Sequence, residues 1–262
     1  MKKIFLLLPT LLLCAGSIGA QSPANRTATT VIADVLAQVP AQDKALYAQQ
    51  QKDLLSTGEN GIVQLVKMLE ISDERKAKVE LAVSGLTHFV SAQEQRNSRL
   101  TVANAYLNAI DQLRDKEAKA FVIRQLEIAG GDESVGKLSS FLSDEYLSSP
   151  AAVALAAIHS PAAGQALVDA LNRALSSKQK ENVVRAIGYM QAAGGEKILK
   201  EQSGSADPQL QGAVWYALGR VGSAASLPDL AAAAKKAGYA AEATGAVAAY
   251  LTLTKRLLAQ GA

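Results

Sequence analysis

The chain has 262 residues, 27 Lys and Arg against 24 Asp and Glu, and only 5% aromatic residues. So small a net charge gives no general footing for binding nucleic acid or an anionic membrane surface. Abundant Ala and Leu with few aromatics argue for helices packed through small side chains and against a β sandwich.

The first segment carries a targeting signature. Lys2 and Lys3 precede an apolar run over residues 4–13, and Ser17-Ile18-Gly19-Ala20 is mostly small. This pattern predicts a secretory signal peptide over residues 1–20, cleaved between Ala20 and Gln21. The run is too short to span a bilayer comfortably, so no transmembrane segment is expected in the mature chain. Cleavage leaves 25 basic and 24 acidic residues, a net charge of about +1. Cys14, the only cysteine, lies inside the signal, and Leu13 stands before it where a lipoprotein needs a small residue. Plain cleavage is therefore favoured over lipidation, and the product is exported to the periplasm or the cell exterior.

After a leader at 21–26, Val31, Ile32, Val35, Leu36 and Val39 recur at helical spacing and predict a helix over 27–39, ended by Pro40. Residues 42–57 and 62–69 predict two more helices. Together, 21–72 is expected to form a helical cap. From residue 73 the helices pair: 73–91 with 100–113, 115–129 with 133–142, 144–158 with 162–175, 178–190 with 196–202, and 208–220 with 226–236. A last helix is expected over 240–259, so the array spans 73–262.

The pairs share a phrase. Val153-Ala154-Leu155-Ala156, Val184-Arg185-Ala186-Ile187-Gly188 and Val214 through Gly222 occupy corresponding places, and Leu126, Leu155, Ile187 and Leu218 mark one register point. A spacing of roughly 30 residues signals stacked helical repeats, none of which buries its apolar face alone. The expected fold is all-α, a right-handed α-solenoid of about five antiparallel helix pairs. Asp207-Pro208 and Ser160-Pro161 suit helix starts, and glycines at 130, 131, 194, 195 and 222 suit helix ends with positive φ.

The segments 183–199 and 213–230 resemble HEAT-type (armadillo-like) repeats, including those of phycobilin-lyase-like proteins. At finer grain, the signal segment, Leu86-Thr87-His88-Phe89-Val90, Arg124-Gln125-Leu126-Glu127 and 182–190 resemble the N-terminal region of large exported bacterial proteins. There a HEAT array precedes a C-terminal domain of the 3-keto-disaccharide hydrolase type. No β-rich segment follows here before Ala262, so the resemblance implies no catalytic residue in this chain. It implies a scaffold, or an accessory region beside such a hydrolase domain.

The residues offer little chemistry. His88 and His159 fall in different repeats and lack the i, i+4 partner of a helical metal site. Gly194-Gly195-Glu196-Lys197 and Gly219-Arg220-Val221-Gly222 look like phosphate loops but follow helices and lack the terminal Gly-Lys-Ser/Thr. Asp73-Glu74, Asp132-Glu133 and Asp144-Glu145 stand where carboxylates favour the positive end of a helix dipole. Trp215 is expected in the core beside Val214 and Leu218. No catalytic residue, cofactor or metal is expected.

One binding candidate stands out. Lys137, Arg173, Lys197, Lys200, Lys235 and Lys236 lie on second helices and predict a basic ridge on the concave face, for an acidic protein or a glycan. The alternative is a solvated face of long side chains. The expected function is an exported, non-enzymatic interaction scaffold with a protein partner; the accessory role beside a hydrolase domain is the second expectation. Fold analogy alone adds a third, a lyase or chaperone for a small molecule.

Overall fold

The computed structural model describes residues 26–92, 96–241 and 244–261. The expected signal segment, with Cys14, Ala20 and Gln21, lies outside them. The described residues form fourteen α-helices and no strand: α1 Ala28–Gln38, α2 Lys44–Ser56, α3 Gly58–Lys67, α4 Arg75–Ser91, α5 Arg96–Ile110, α6 Lys116–Ala129, α7 Asp132–Ser140, α8 Ser148–Ile158, α9 Pro161–Ala170, α10 Ser177–Met190, α11 Gly195–Gln202, α12 Pro208–Val221, α13 Leu227–Lys236 and α14 Ala246–Ala259.

Local chemistry starts many of these helices. Each helix opens with N–H groups lacking an intrahelical acceptor, and a side-chain oxygen at the N-cap supplies one. Thr27, Asp43, Asp115, Ser160 and Asp207 do this for α1, α2, α6, α9 and α12. Pro161 and Pro208 follow two of these caps, where a missing N–H costs nothing. Ser176 and Gln179 form a reciprocal capping box at α10. Asp144 ties the turn before α8 by accepting from the N–H groups of Tyr146 and Leu147 at 2.8 and 3.0 Å.

The helices pack in a row. α2, α4, α6, α8, α10, α12 and α14 stack one on the next, each against its neighbours; α3, α5, α7 and α9 form a second layer beside them. α2 and α3 continue the two layers back from α4 and α5, and α1 covers α2, α3 and α4. Leu126, Leu155, Ile187 and Leu218 are all fully buried, and each gives its carbonyl to the residue that closes its helix. They mark the same point in the last turn of α6, α8, α10 and α12, as their spacing implies.

The stack is tightest where side chains are smallest. A β carbon on Gly219 would lie 3.0 Å from the backbone oxygen of Ala249, so α12 and α14 meet backbone to backbone. Between α11 and the start of α13 long side chains span the gap instead. Glu196 of α11 accepts from the Ser223 N–H at 2.9 Å and from Ser226 Oγ at 2.5 Å, and Lys200 reaches Asp229 at 3.0 Å. Arginines tie one repeat to the next: Arg99 to Ala129 O at 2.6 Å, Arg173 to Ser139 O at 2.9 Å, Arg220 to Gly188 O at 2.8 Å.

Two local expectations change. Gly130, Gly131 and Gly222 have negative φ (−73°, −148° and −62°). Space, not handedness, demands glycine at 130 and 222: a β carbon there would lie 2.3 Å from Leu126 O or 2.5 Å from Leu218 O. The left-handed closures fall on His159 and Gln191, with φ of 53° and 55°. The last helix begins at Ala246, not 240, because Gly245 just before it has a left-handed φ of 69°.

Candidate functional site: a tyrosine groove on the first-helix layer

A surface strip runs beside the buried register residues. In a helix, residues two before and two after a given position stand four apart and share one face. Two before Leu126, Leu155, Ile187, Leu218 and Leu253 come Arg124, Val153, Arg185, Tyr216 and Leu251, and all five are exposed. Two after the first three come Ile128, Ala157 and Tyr189, also exposed. This strip crosses the stacked helices α6, α8, α10, α12 and α14 from one to the next.

Its middle is a groove of about 630 Å³. It is lined by Glu127 of α6, Val153 and Ala157 of α8, Arg185 and Tyr189 of α10 and Tyr216 of α12, among others. Val153 is 49% exposed, Tyr189 66% and Tyr216 39%, so three large apolar or aromatic side chains face solvent side by side.

Several of its side chains have partners. The Tyr216 ring rests on Gly188, whose missing side chain leaves that space free. The guanidinium of Arg220 lies 5.5 Å from the ring centroid, and its Nε donates to Gly188 O. Arg185 donates its Nε to Glu181 Oε1 at 2.9 Å, and Lys178 reaches the other oxygen at 2.9 Å. Glu181 is 6% exposed. Its burial would raise the carboxyl, but the hydrogen bonds from Lys178 and Arg185 outweigh burial and hold it below the usual range. Asn182, which also lines the groove, donates to Ser148 Oγ at 3.1 Å.

The six cations of the expected ridge have different surroundings. Lys137 is paired with Asp111 at 2.7 Å, Arg173 donates to the Ser139 carbonyl and hydroxyl, and Lys200 bonds Ala225 O and Asp229. Lys197 is exposed on α11, and Lys235 and Lys236 are exposed in the last turn of α13. The two glycine segments border one hollow, lined by Gly194, Lys197, Arg220 and Arg256 among others. Trp215 is buried at 7% exposure. His88 is exposed on α4 and His159 is the exposed closure of α8. The acid pairs serve locally: Asp73 binds Arg75, Glu133 pairs with Arg99 at 2.7 Å, and Asp132 accepts from Ser160 Oγ.

Tyr189, Val153 and Arg185 carried no signal as single residues. The available signal was their offset from the repeat residues, two before for Val153 and Arg185 and two after for Tyr189. No described helix is long and apolar enough to cross a membrane.

No protein-family profile and no curated protein matches the chain. Among solved structures, the crystal structure of an engineered protein, a structural-genomics target, is 20% identical, covers 72% of this chain and 96% of its own, and superposes with a TM-score of 0.38.

Proposed function

We propose that this protein is an exported, non-enzymatic scaffold of HEAT-like repeats, and that it binds a protein partner along the first-helix strip. The observation that carries this is the pair Tyr189 and Tyr216, exposed beside Val153 in one groove, with the Tyr216 ring seated between Gly188 and Arg220. Exposed tyrosines give a large contact area for few rotatable bonds and are favoured anchors of interfaces. The residue pattern of 2–20 supports export.

A photo-crosslinking residue at Tyr189 in the full chain, expressed in its own host, tests the reading. A discrete protein adduct is expected, lost in Tyr216→Ala and Val153→Asp. Reversal of Lys197, Lys200 and Lys235 to Glu is the parallel test of the second-helix ridge. Loss of the adduct there, with none in the tyrosine variants, moves the docking face to the ridge. Export is checked by the mass of the mature chain, expected to start at Gln21.

A second reading has one observation in its favour. Leu251 and Leu258 of α14 are 60% and 70% exposed, and with Val247 they make an apolar stripe at the end of the row. An accessory region beside a 3-keto-disaccharide hydrolase-type domain would cover that stripe. Co-purification with such a domain, lost in a Leu251→Glu, Leu258→Glu variant, supports it.

A further inference from the structure

We infer that the strip recognises an extended peptide segment bearing two acidic side chains about five or six residues apart with an apolar side chain between them. This rests on the scaffold reading above and names its ligand. The order of exposed residues along the row is Arg124, Val153, Arg185, Tyr216: cation, apolar, cation, aromatic, one per stacked helix. Neighbouring helices in such a stack stand about 8–10 Å apart. Arg124 and Arg185 are two steps apart, roughly 16–20 Å, which an extended chain rising about 3.3 Å per residue covers in five or six residues.

The charges favour an acidic ligand. Among the described residues Arg124 makes no hydrogen bond or ion pair. Arg185 commits only its Nε, to Glu181, and Arg220 only its Nε, to Gly188 O. The terminal nitrogens of both remain for a ligand, in the fork that matches a carboxylate. Glu181 is already shared between Lys178 and Arg185. Glu127, at the α6 end, is the one acid lining the groove. Between the cations, Val153 and Ala157 offer an apolar surface, and Tyr216, stacked under Arg220, offers a ring beyond them. A chain crossing the helices meets these groups in turn, which a compact ligand cannot do.

The test is selection of a random 12-residue peptide library displayed on phage against the full chain, then titration of the enriched peptides made synthetically. The expected consensus has two Asp or Glu separated by four or five residues with Leu, Pro or an aromatic between. Binding should fall at least tenfold in Arg185→Glu and in Tyr216→Ala, with helical circular dichroism unchanged. Changing the matching acid to Lys should restore binding to Arg185→Glu and weaken it to wild type. No enrichment, a consensus without paired acids, or equal binding to Arg185→Glu overturns the inference. So does tyrosine-dependent binding on a glycan array with no peptide enriched. Survival of the Tyr189 crosslink in those cases would leave the scaffold reading standing while this one fell.

Discussion

A β carbon on Gly188 would lie 2.8 Å from Cα of Ala217 and 2.9 Å from Cε1 of Tyr216, so the Tyr216 ring and its helix sit directly on the bare backbone of Gly188. One glycine therefore serves both the packing of α10 on α12 and the placement of a groove tyrosine. Gly188→Ala should cost about 1–3 kcal/mol, the usual range for overpacking a tight contact. The same substitution should weaken any ligand that touches Tyr216. Gly136 is the control: it lies within α7, and a β carbon there would meet nothing within 4 Å. Gly136→Ala should stabilise by roughly 0.5–1 kcal/mol. Urea denaturation of the two variants reads both signs.

Glu181 gives the stack a dependence on acid. Its folded-state pKa is lowered from the ordinary 4.5, so folding is favoured where the carboxyl is ionised. That contribution is complete above 4.5 and is lost as pH falls through the lower folded value. Glu196 and Glu70 act in the same direction. Burial of Glu196 is outweighed by its bonds to Ser226 and Ser223, and Glu70 is lowered by the backbone N–H groups of Asp115 and Arg114. Glu181→Gln should cost about 1–2 kcal/mol near neutral pH, because two charge-assisted bonds weaken while the shape is kept. Its penalty should shrink towards pH 3. Thermal melts of both proteins between pH 3 and pH 7 measure the convergence; a constant gap would refute the linkage.

Tyr106 and Thr87 share one acceptor deep in the core. Their hydroxyls stand 2.8 Å apart, so one donates to the other, and the proton that is left goes to Val83 O, which lies 3.1 Å from the Tyr106 hydroxyl and 3.0 Å from that of Thr87. Burial pushes the Tyr106 phenol well up, so it stays a neutral donor. Tyr106→Phe and Thr87→Val should each cost about 1 kcal/mol, because the remaining hydroxyl still satisfies the carbonyl. The double variant leaves Val83 O without either side-chain donor, and the two losses should not add. A double-mutant cycle by denaturant titration gives the coupling.

Burial repeats, and that is why the row was legible. Leu126, Leu155, Ile187 and Leu218 recur because each fills the same place in a stack, and a repeated place leaves a repeated letter. The groove left none. Its positions are exposed, so Arg124, Val153, Arg185 and Tyr216 differ freely, and only their shared offset from a buried leucine joins them. Glycines misled for another reason. The same residue type serves where φ is positive, as at Gly245, and where backbone atoms crowd, as at Gly222, and sequence does not distinguish the two. Gln191 took the left-handed closure of α10 that glycines 194 and 195 were expected to hold, and His159 closes α8 the same way where no glycine stands. The run of alanines from 240 onwards hid the break at Gly245 in the same way, since helix propensity is only a weak prior.

The register itself makes the sharpest prediction. Leu155 and Leu218 are fully buried between two stacked neighbours, and Leu155→Ala or Leu218→Ala should each cost about 2–5 kcal/mol. Leu253 holds the corresponding place in α14 and is equally buried, but α14 has α12 on one side and no further helix of the stack among the described residues. Leu253→Ala should therefore loosen α14 locally before it lowers global stability, because coupling in a row runs through nearest neighbours. Leu251, two residues away and 60% exposed, should tolerate Ala with a change of about 0.5 kcal/mol or less. Hydrogen exchange separates these outcomes. Leu218→Ala should lower protection across α10 and α12 together, whereas Leu253→Ala should expose the amides of α14 and leave α8 and α10 at their wild-type rates. Equal, global loss of protection in both variants would mean that the helices fold as one inseparable unit rather than as a row.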